Sequence, residues 1–442
     1  MKYQAVKGTR DFYPDDMAAR NAIFDAWRRV SLRNGFVEVD GPIFEYLELI
    51  TAKSGEEIAT QLFTLTDRGG RELAVRPEMT PTLARMVGAK AQTLSKPIKW
   101  FSMPRLCRGE RPQRGRLREF FQWNIDVVGE GGPLADAETI FTAVDLLREL
   151  GLGPDDAVVR ISSRPLIAAM LTHLGVAEPD HPAAYALLDK AGKMPVETMA
   201  AQWDERFADR LPHAKLVELL AAESPTALIE RTGTDGPAAA PLTAAAETLQ
   251  STFDLLRNLG ITEYCNFDVH IVRGLAYYTG VVFEIFDRAG QLRAVCGGGR
   301  YDNLLAALGG PDLPAVGFGM GDVPLGLLLD EKNKRPPAGD RLDAYIIDAG
   351  PEFFTQVLEL TAKLREQGVA CAFNYRRQSV SKQLRAAASR NATVAVIVGQ
   401  ETGERGVVTI KNLANQTQRE MTTSELLAEA QAVTHGPDEA VQ

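Results

Sequence analysis

Strand-forming text in this 442-residue chain stops near position 160 and returns after position 260, with Ala- and Leu-rich helical text over residues 161–259 between. The two stretches of strand text therefore read as one sheet domain split by a helical insertion. Ahead of the break, residues 17–34 carry an amphipathic helical pattern led in by Asp15 and Asp16. Residues 35–42 read as a strand ended by Pro42, and residues 62–67 and 71–76 as a hairpin turned at Gly69-Gly70. A helix is predicted over 79–89, strands over 98–106 and 119–128, and a second long helix over 133–150. Strands that follow one another without helices between them predict an antiparallel sheet with helices laid on it, an α+β arrangement. Strand text resumes at 265–271, 281–286 and 292–296.

The domain reading is 1–160 and 260–331 for the two parts of the sheet domain, 161–259 for the insertion, and a charged, Pro-rich linker at 332–340. From 341 to 432 the rhythm becomes strand, helix, strand, helix, strand, a separate α/β domain, and residues 433–442 form an acidic tail.

With 45% hydrophobic and 24% charged residues the composition is that of an ordinary globular protein. No apolar run approaches the roughly 18 residues that span a bilayer. The polar opening Met1-Lys2-Tyr3-Gln4 lacks a signal-peptide core, so a cytoplasmic location is expected. Cys107, Cys265, Cys296 and Cys371 lack CxxC spacing and are expected as free thiols; no metal cluster is indicated. A net charge of -9 argues against sequence-independent adhesion to nucleic acid, so any RNA contact must be regional.

Three segments carry chemical interest. Arg105 to Arg118 sets five further arginines around Arg108 between two strands, a density of planar donors suited to polyphosphate or an RNA end. Its plain alternative is an exposed Arg-rich hairpin. Cys296-Gly-Gly-Gly-Arg-Tyr-Asp302 places three glycines after a strand, which lets backbone approach a flat ligand and Arg300 project over it. A tight turn is the competing reading. Ala315 to Gly321 alternates Gly with apolar residues, which fits close strand packing beneath a ligand or plain core packing.

Together these segments resemble the histidyl-tRNA synthetases, a family of class II aminoacyl-tRNA synthetases, over nearly the whole chain and in the family's order. Lys7 to Pro14 looks like the family's N-terminal signature, and Gly41 to Glu45 resembles class II motif 1, which supplies a dimer interface. Phe101 to Gly129 is similar to motif 2, Arg273 to Thr279 and Gly297 to Tyr301 to the two histidine motifs, and Val316 to Leu329 stands where motif 3 belongs. Residues 341–432 resemble the anticodon-binding domain.

The resemblance implies a class II antiparallel sheet, a homodimer, and ATP-dependent activation of L-histidine to histidyl-adenylate, with transfer to the 3′-terminal adenosine of tRNA(His). Mg²⁺ is expected with ATP. By the match, Arg108 and Arg273 are the catalytic guanidiniums, Arg108 on the α-phosphate, and Glu110 meets the adenine amino edge. Glu78 and Thr80 would receive the substrate ammonium group, Gln122 would make a further substrate contact, and Asp126 with Tyr278, beside Tyr277, would grip the imidazole. Taken singly, Glu78 also reads as a helix-start carboxylate, Tyr278 as a core aromatic and Asp126 as a solvent-facing mid-strand charge. Arg376, Arg377, Lys382 and Arg385, with Arg390, form a basic run suited to a tRNA backbone, or a solvated helix face.

The chain departs from the family pattern twice. Pro324 stands where motif 3 has the arginine that clasps the ATP γ-phosphate, and Ala276 where the first histidine motif commonly has an acid. Arg116 or Arg300 is expected to take over the γ-phosphate. The alternative is a non-catalytic paralogue, a histidine-sensing regulatory subunit of ATP phosphoribosyltransferase. That family typically lacks the anticodon domain. A class II enzyme for proline or threonine is disfavoured by the Arg273 to Thr279 segment and the lack of a zinc cluster.

Overall fold

The computed structural model describes residues 3–52, 60–190, 194–236, 238–272, 277–336, 342–376 and 378–434. Two compact units divide at residues 337 and 338.

The described strands of the first unit are β1 (Val37–Glu38), β2 (Phe44–Tyr46), β3 (Phe63–Thr66), β4 (Glu72–Val75), β5 (Ile98–Ser102), β6 (Arg105–Cys107), β7 (Glu119–Val128), β8 (Ala157–Ser163), β9 (Cys265–Phe267), β10 (Val281–Asp287), β11 (Cys296–Arg300) and β12 (Ala315–Gly321). The main sheet runs β1-β5-β7-β12-β11-β10-β8-β9, with β6 paired to β7, and β2-β4-β3 form a small sheet of their own. Strands β12, β11 and β10 from after the helical stretch lie between β7 and β8 from before it, so neither half closes the sheet without the other. Its interior is antiparallel as expected, but each end carries a parallel pair, β1 with β5 and β8 with β9.

Strand β7 shows how sequence sets the two faces. Period-two alternation places Phe121, Trp123, Ile125 and Val127 on one side, where they join Trp27, Val30, Ile140 and Val144 from the helices Pro14–Arg33 and Pro133–Glu149. Trp27 and Trp123 are fully buried and stack with centroids 6.3 Å apart, and Trp123 Nε1 donates to Ser31 Oγ at 2.9 Å, so the indole N–H is not stranded in the core. Fully burying one large apolar side chain stabilises by roughly 1.5–3 kcal/mol, so this layer holds the sheet rigid. Gln122, Asn124 and Asp126 point to the opposite face, where the site is built.

Three sequence expectations shift. The strand expected over 35–42 shortens to Val37–Glu38 before the small sheet begins. The strand expected over 292–296 starts at Cys296 and runs through the glycines to Arg300, so the triplet is strand, not turn. Neighbouring strands pack so closely that a Cβ at Gly298 would lie 2.5 Å from the Gly317 carbonyl oxygen and 2.6 Å from Phe318 Cβ. The insertion drawn at 161–259 also begins too early, since residues 161–163 complete β8 in the sheet. The helices Arg164–His173 and Ala239–Asn258 share the principal core, through Leu166, Ile167, Leu249 and Leu256, with Val159 and Ile161 of β8.

In the second unit β13 (Ala344–Asp348), β14 (Cys371–Phe373), β15 (Val394–Val398), β16 (Val407–Asn412) and β17 (Gln418–Thr422) lie in the order β14-β13-β15-β16-β17. The first three are parallel and the last three pair antiparallel. Ile346 of β13 packs with Val357, Leu360 and Leu364 of the helix Phe354–Glu366, while Tyr345 and Ile347 pack with Ala387 of the helix Val380–Ser389 on the other face. Burial on both faces explains the continuous apolar text of β13. No described helix is long and apolar enough to cross a membrane.

Candidate active site

A cleft opens on the sheet of the first unit, lined by Arg108, Glu110, Arg116, Gln122, Glu284, Arg293, Gly297, Gly319 and Pro324, among others. The Arg-rich hairpin between β6 and β7 forms one wall. Its base is closed by Arg108 N–H donating to Arg118 O at 2.8 Å, and Arg118 N–H donates in turn to Gly8 O at 2.8 Å. Gly8 has φ +90°, and a Cβ there would fall 2.8 Å from Pro112 Cγ, which is why a glycine holds the N-terminal segment against the hairpin. Arg108 is fixed by its Nε donating to Pro77 O at 3.0 Å. Glu110 is buried and ion-paired with Arg116.

The six arginines do not act together. Arg105 lies over the Phe121 ring and pairs with Glu119 at 3.5 Å, Arg114 pairs with Glu331, and Arg118 Nε donates to Glu110 O at 3.1 Å. Arg108 and Arg116 line the cleft. Half of the basic density that marks this segment in the sequence thus holds the hairpin in shape or against its neighbours.

A second group of polar side chains lies within the sheet domain. Glu78 is buried just before the helix Thr80–Lys90 and accepts from Tyr277 Oη at 3.2 Å. The Tyr277 ring meets Tyr301 edge-on at 5.9 Å, and Tyr301 Oη donates to Asp126 Oδ1. Tyr278 is buried against Gly299, where a Cβ would lie 2.8 Å from its ring. Opposite Asp126 in the β7·β12 register stands Gly317, where a Cβ would lie 2.3 Å from Asp126 Oδ1, and a Cβ at Gly319 would lie 2.5 Å from Gln122 Cδ. The alternating glycines of β12 therefore make room for the polar side chains of β7.

Asp126 is not the solvent-facing charge that one plain reading allowed; it is 4% exposed. Burial pushes its carboxyl up to about 7, against the hydrogen bond from Tyr301, which favours the anion. In the unfolded chain an aspartate ionises near about 3.9. Between these values unfolding releases a proton, so this group makes the ligand-free protein less stable as pH rises from about 4 to about 7. Asp126→Asn removes that slope. The melting-temperature difference, variant minus wild type, is expected to rise from about pH 5 to about pH 7, and a flat difference would rule out this ionisation.

The remaining sequence candidates are placed as follows. Thr80 is half-buried at the helix start two residues after Glu78, and Gln122 lies on the cleft wall. Arg300 does not project over a ligand. It is 5% exposed, its Nη2 lies 2.9 Å from Asp136 Oδ1, and its other nitrogens donate to Asp136, Asp302 and the Glu130 carbonyl at 3.0 Å. A guanidinium with those partners ties the sheet to the helix Pro133–Glu149 and is not available to ATP. Arg273 and Ala276 lie outside the described residues, as does Arg377. Arg376 is exposed, and Lys382 and Arg385 are exposed three residues apart on one helix. Cys265, Cys296 and Cys371 are buried free thiols and Cys107 is half-buried.

Sequence reasoning missed Tyr301, Glu284 and Arg293 as site residues. Tyr301 ends the Gly297–Tyr301 motif and could have been read with it. Glu284 and Arg293 gave no local signal, because only the strand pairing brings them to the hairpin.

A split antiparallel sheet with this strand order is the catalytic fold of class II aminoacyl-tRNA synthetases. The crystal structure of histidyl-tRNA synthetase from Nostoc sp. PCC 7120 covers 97% of this chain and 99% of its own, with TM-score 0.83 at 23% identity. That of an ATP phosphoribosyltransferase regulatory subunit/histidyl-tRNA synthetase from Bacillus halodurans covers 90% of this chain and 99% of its own, with TM-score 0.74 at 24% identity. These likenesses carry the fold, and sequence carries the family. The histidyl-tRNA synthetase family model matches residues 8–322 and the anticodon binding domain model residues 343–432. The histidine-tRNA ligase of Opitutus terrae is 40% identical over 428 residues, 96% of this chain and 97% of that protein. The chain belongs to the histidyl-tRNA synthetase family.

Proposed function

We propose that this chain is a histidine-tRNA ligase, which activates L-histidine with ATP and transfers it to the 3′-terminal adenosine of tRNA(His). The observation that carries the reading is the polar series Glu78, Tyr277, Tyr301 and Asp126 in the same sheet domain as a cleft holding Arg108 and Glu110. Imidazole donates at one nitrogen and accepts at the other, so a pocket that offers both functions can select it. The full-length relatives named as histidine-tRNA ligases support the same conclusion.

In the first step a carboxylate oxygen of histidine attacks the α-phosphorus and the bond to pyrophosphate breaks, giving the mixed anhydride. In the second, a ribose hydroxyl of the terminal adenosine attacks the carbonyl carbon and AMP leaves. Two anions meet in the first step, so positive charge aimed at the α-phosphate oxygens dominates the barrier. Arg108 and Arg273 take that role, Glu110 the adenine amino edge, and Arg116 the outer phosphates. Glu78 and Thr80 hold the ammonium group, Gln122 a further substrate atom, and Asp126, Tyr277 and Tyr278 surround the imidazole. Mg²⁺ takes most of its ligands from phosphate and water, with one or two carboxylates. That fits a cleft with Glu110 and Glu284 on its wall, in a chain whose described residues hold no cluster of three or more metal-ligating side chains. Glu284 would hold the ion, whose charge would favour departure of pyrophosphate.

Residues 1–163 and 260–331 act as the catalytic domain, 164–259 as the insertion and 341–432 as the anticodon-binding domain, whose Arg376, Arg377, Lys382 and Arg385 would meet the tRNA backbone. A homodimer in the cytoplasm completes the reading. Ile43, Phe44, Tyr46, Phe63 and Leu65 are exposed on and beside β2 and β3, an apolar surface that fits a second copy. The anticodon-domain match over residues 343–432 favours a ligase over a regulatory subunit.

The test is histidine-dependent exchange of labelled pyrophosphate into ATP. Exchange is expected with histidine and not with proline or threonine. Intact, folded protein without exchange would favour the regulatory subunit, and exchange driven by another amino acid would overturn the specificity.

A further inference from the structure

The helix Asp322–Glu331 carries Pro324 in place of a γ-phosphate arginine, and Arg300 is committed to Asp136 and Asp302. We propose that Arg293 supplies the missing guanidinium and binds the terminal phosphates of ATP in the space that a long side chain from position 324 would have filled. The proposal rests on the ligase reading and deepens it at the triphosphate.

The register of two strands carries the argument. Strands β11 and β12 pair with Cys296 opposite Met320, and Gly321 N–H donates to Val295 O at 3.3 Å, so the pairing continues one residue before β11. The segment 293–295 therefore runs beside 321–323, at the start of the helix that bears Pro324. Arg293 and Pro324 line the same cleft as Arg108, Glu110 and Arg116. On its other side Arg293 reaches the tip of the Arg-rich hairpin, where its Cδ lies 3.9 Å from the position a Cβ on Gly115 would occupy. Arg293 thus stands between the hairpin and the first turn of that helix, exposed in the cleft.

Charge points the same way. The charged side chains among the described lining residues are three arginines, Arg108, Arg116 and Arg293, and two glutamates, Glu110 and Glu284. That excess of positive charge favours a polyanion such as a triphosphate over neutral or zwitterionic solutes. Arg is suited to the place because its planar fork can take two phosphate oxygens at once.

Arg293→Ala is expected to raise the KM for ATP in pyrophosphate exchange by about 10- to 100-fold, the size of one lost charge-assisted phosphate contact. The KM for histidine should stay within about twofold, and Arg293→Lys should recover part of the loss. Direct binding separates this from damage to the site. The variant should bind AMP, which lacks the terminal phosphates, as the wild type does, while its affinity for ATP falls. An unchanged KM for ATP, or equal weakening of AMP and ATP, would overturn the assignment. Wild-type protein without exchange would defeat the ligase reading instead, and the comparison of ATP with AMP binding would still decide the role of Arg293.

Discussion

Arg108→Ala is expected to slow adenylate formation by about 10²- to 10³-fold in kcat, the usual loss when one preorganised donor to a developing charge is removed. The physical reason lies in how Arg108 is held. Its Nε is fixed on Pro77 O at 3.0 Å, and the Phe120 ring centroid is 5.4 Å from its Cζ, so the fork is positioned before any substrate enters. Little reorganisation remains to be done as charge builds on the α-phosphate. Arg108→Lys should rescue poorly, because an ammonium group cannot keep the Pro77 contact and face two phosphate oxygens together. Single-turnover formation of histidyl-adenylate measures the effect on chemistry apart from product release. A loss smaller than about tenfold would remove Arg108 from the transition state.

Arg300→Ala is expected to destabilise the catalytic unit by about 3–5 kcal/mol, the range for breaking a buried ion pair from one side. Asp136 is 3% exposed and would be left without the guanidinium that meets it at 2.9 Å. All four tryptophans, Trp27, Trp100, Trp123 and Trp203, lie in residues 1–337, so denaturation followed by tryptophan fluorescence reports on that unit alone. The variant that remains folded should keep its KM for ATP, in contrast to Arg293→Ala. A stable variant with weakened ATP binding would reverse the roles assigned to the two arginines.

The contrast between Arg293 and Arg300 also marks how far the sequence could be read. Arg300 sits beside three glycines and draws the eye as a ligand group, yet its neighbours in space are Asp136, Asp302 and two carbonyls from the loop before a helix. Apart from Asp302, nothing local to residues 296–302 encodes those partners. Arg293 lies in an unremarkable loop and becomes a cleft residue only through the pairing of β11 with β12. Asp126 was marked by the family resemblance alone; period-two alternation along β7 sets it opposite the apolar face but left a solvent-facing charge as the plain alternative, and its burial comes from Tyr301 and the glycines of β12. The sheet interrupted by helices was legible because strand periodicity survives a long gap. What the pattern could not show was the last turn of each boundary, where β8 continues three residues into the helical text, and the reach of the strand through Gly297–Gly299, where low strand propensity yields to crowding by both neighbours.

The alternating glycines of β12 bear on any attempt to redirect this protein to a larger amino acid. Beside Asp126 and Gln122 the floor is formed by Gly317 and Gly319, so no side chain is left there to trim. Among the described residues, extra volume would come from shortening the residues of β7 or displacing Tyr277 and Tyr278, groups proposed to surround the imidazole. Accommodation of a bulkier side chain and loss of histidine selectivity are therefore mechanically linked, and a library confined to the floor should yield no enlarged variants.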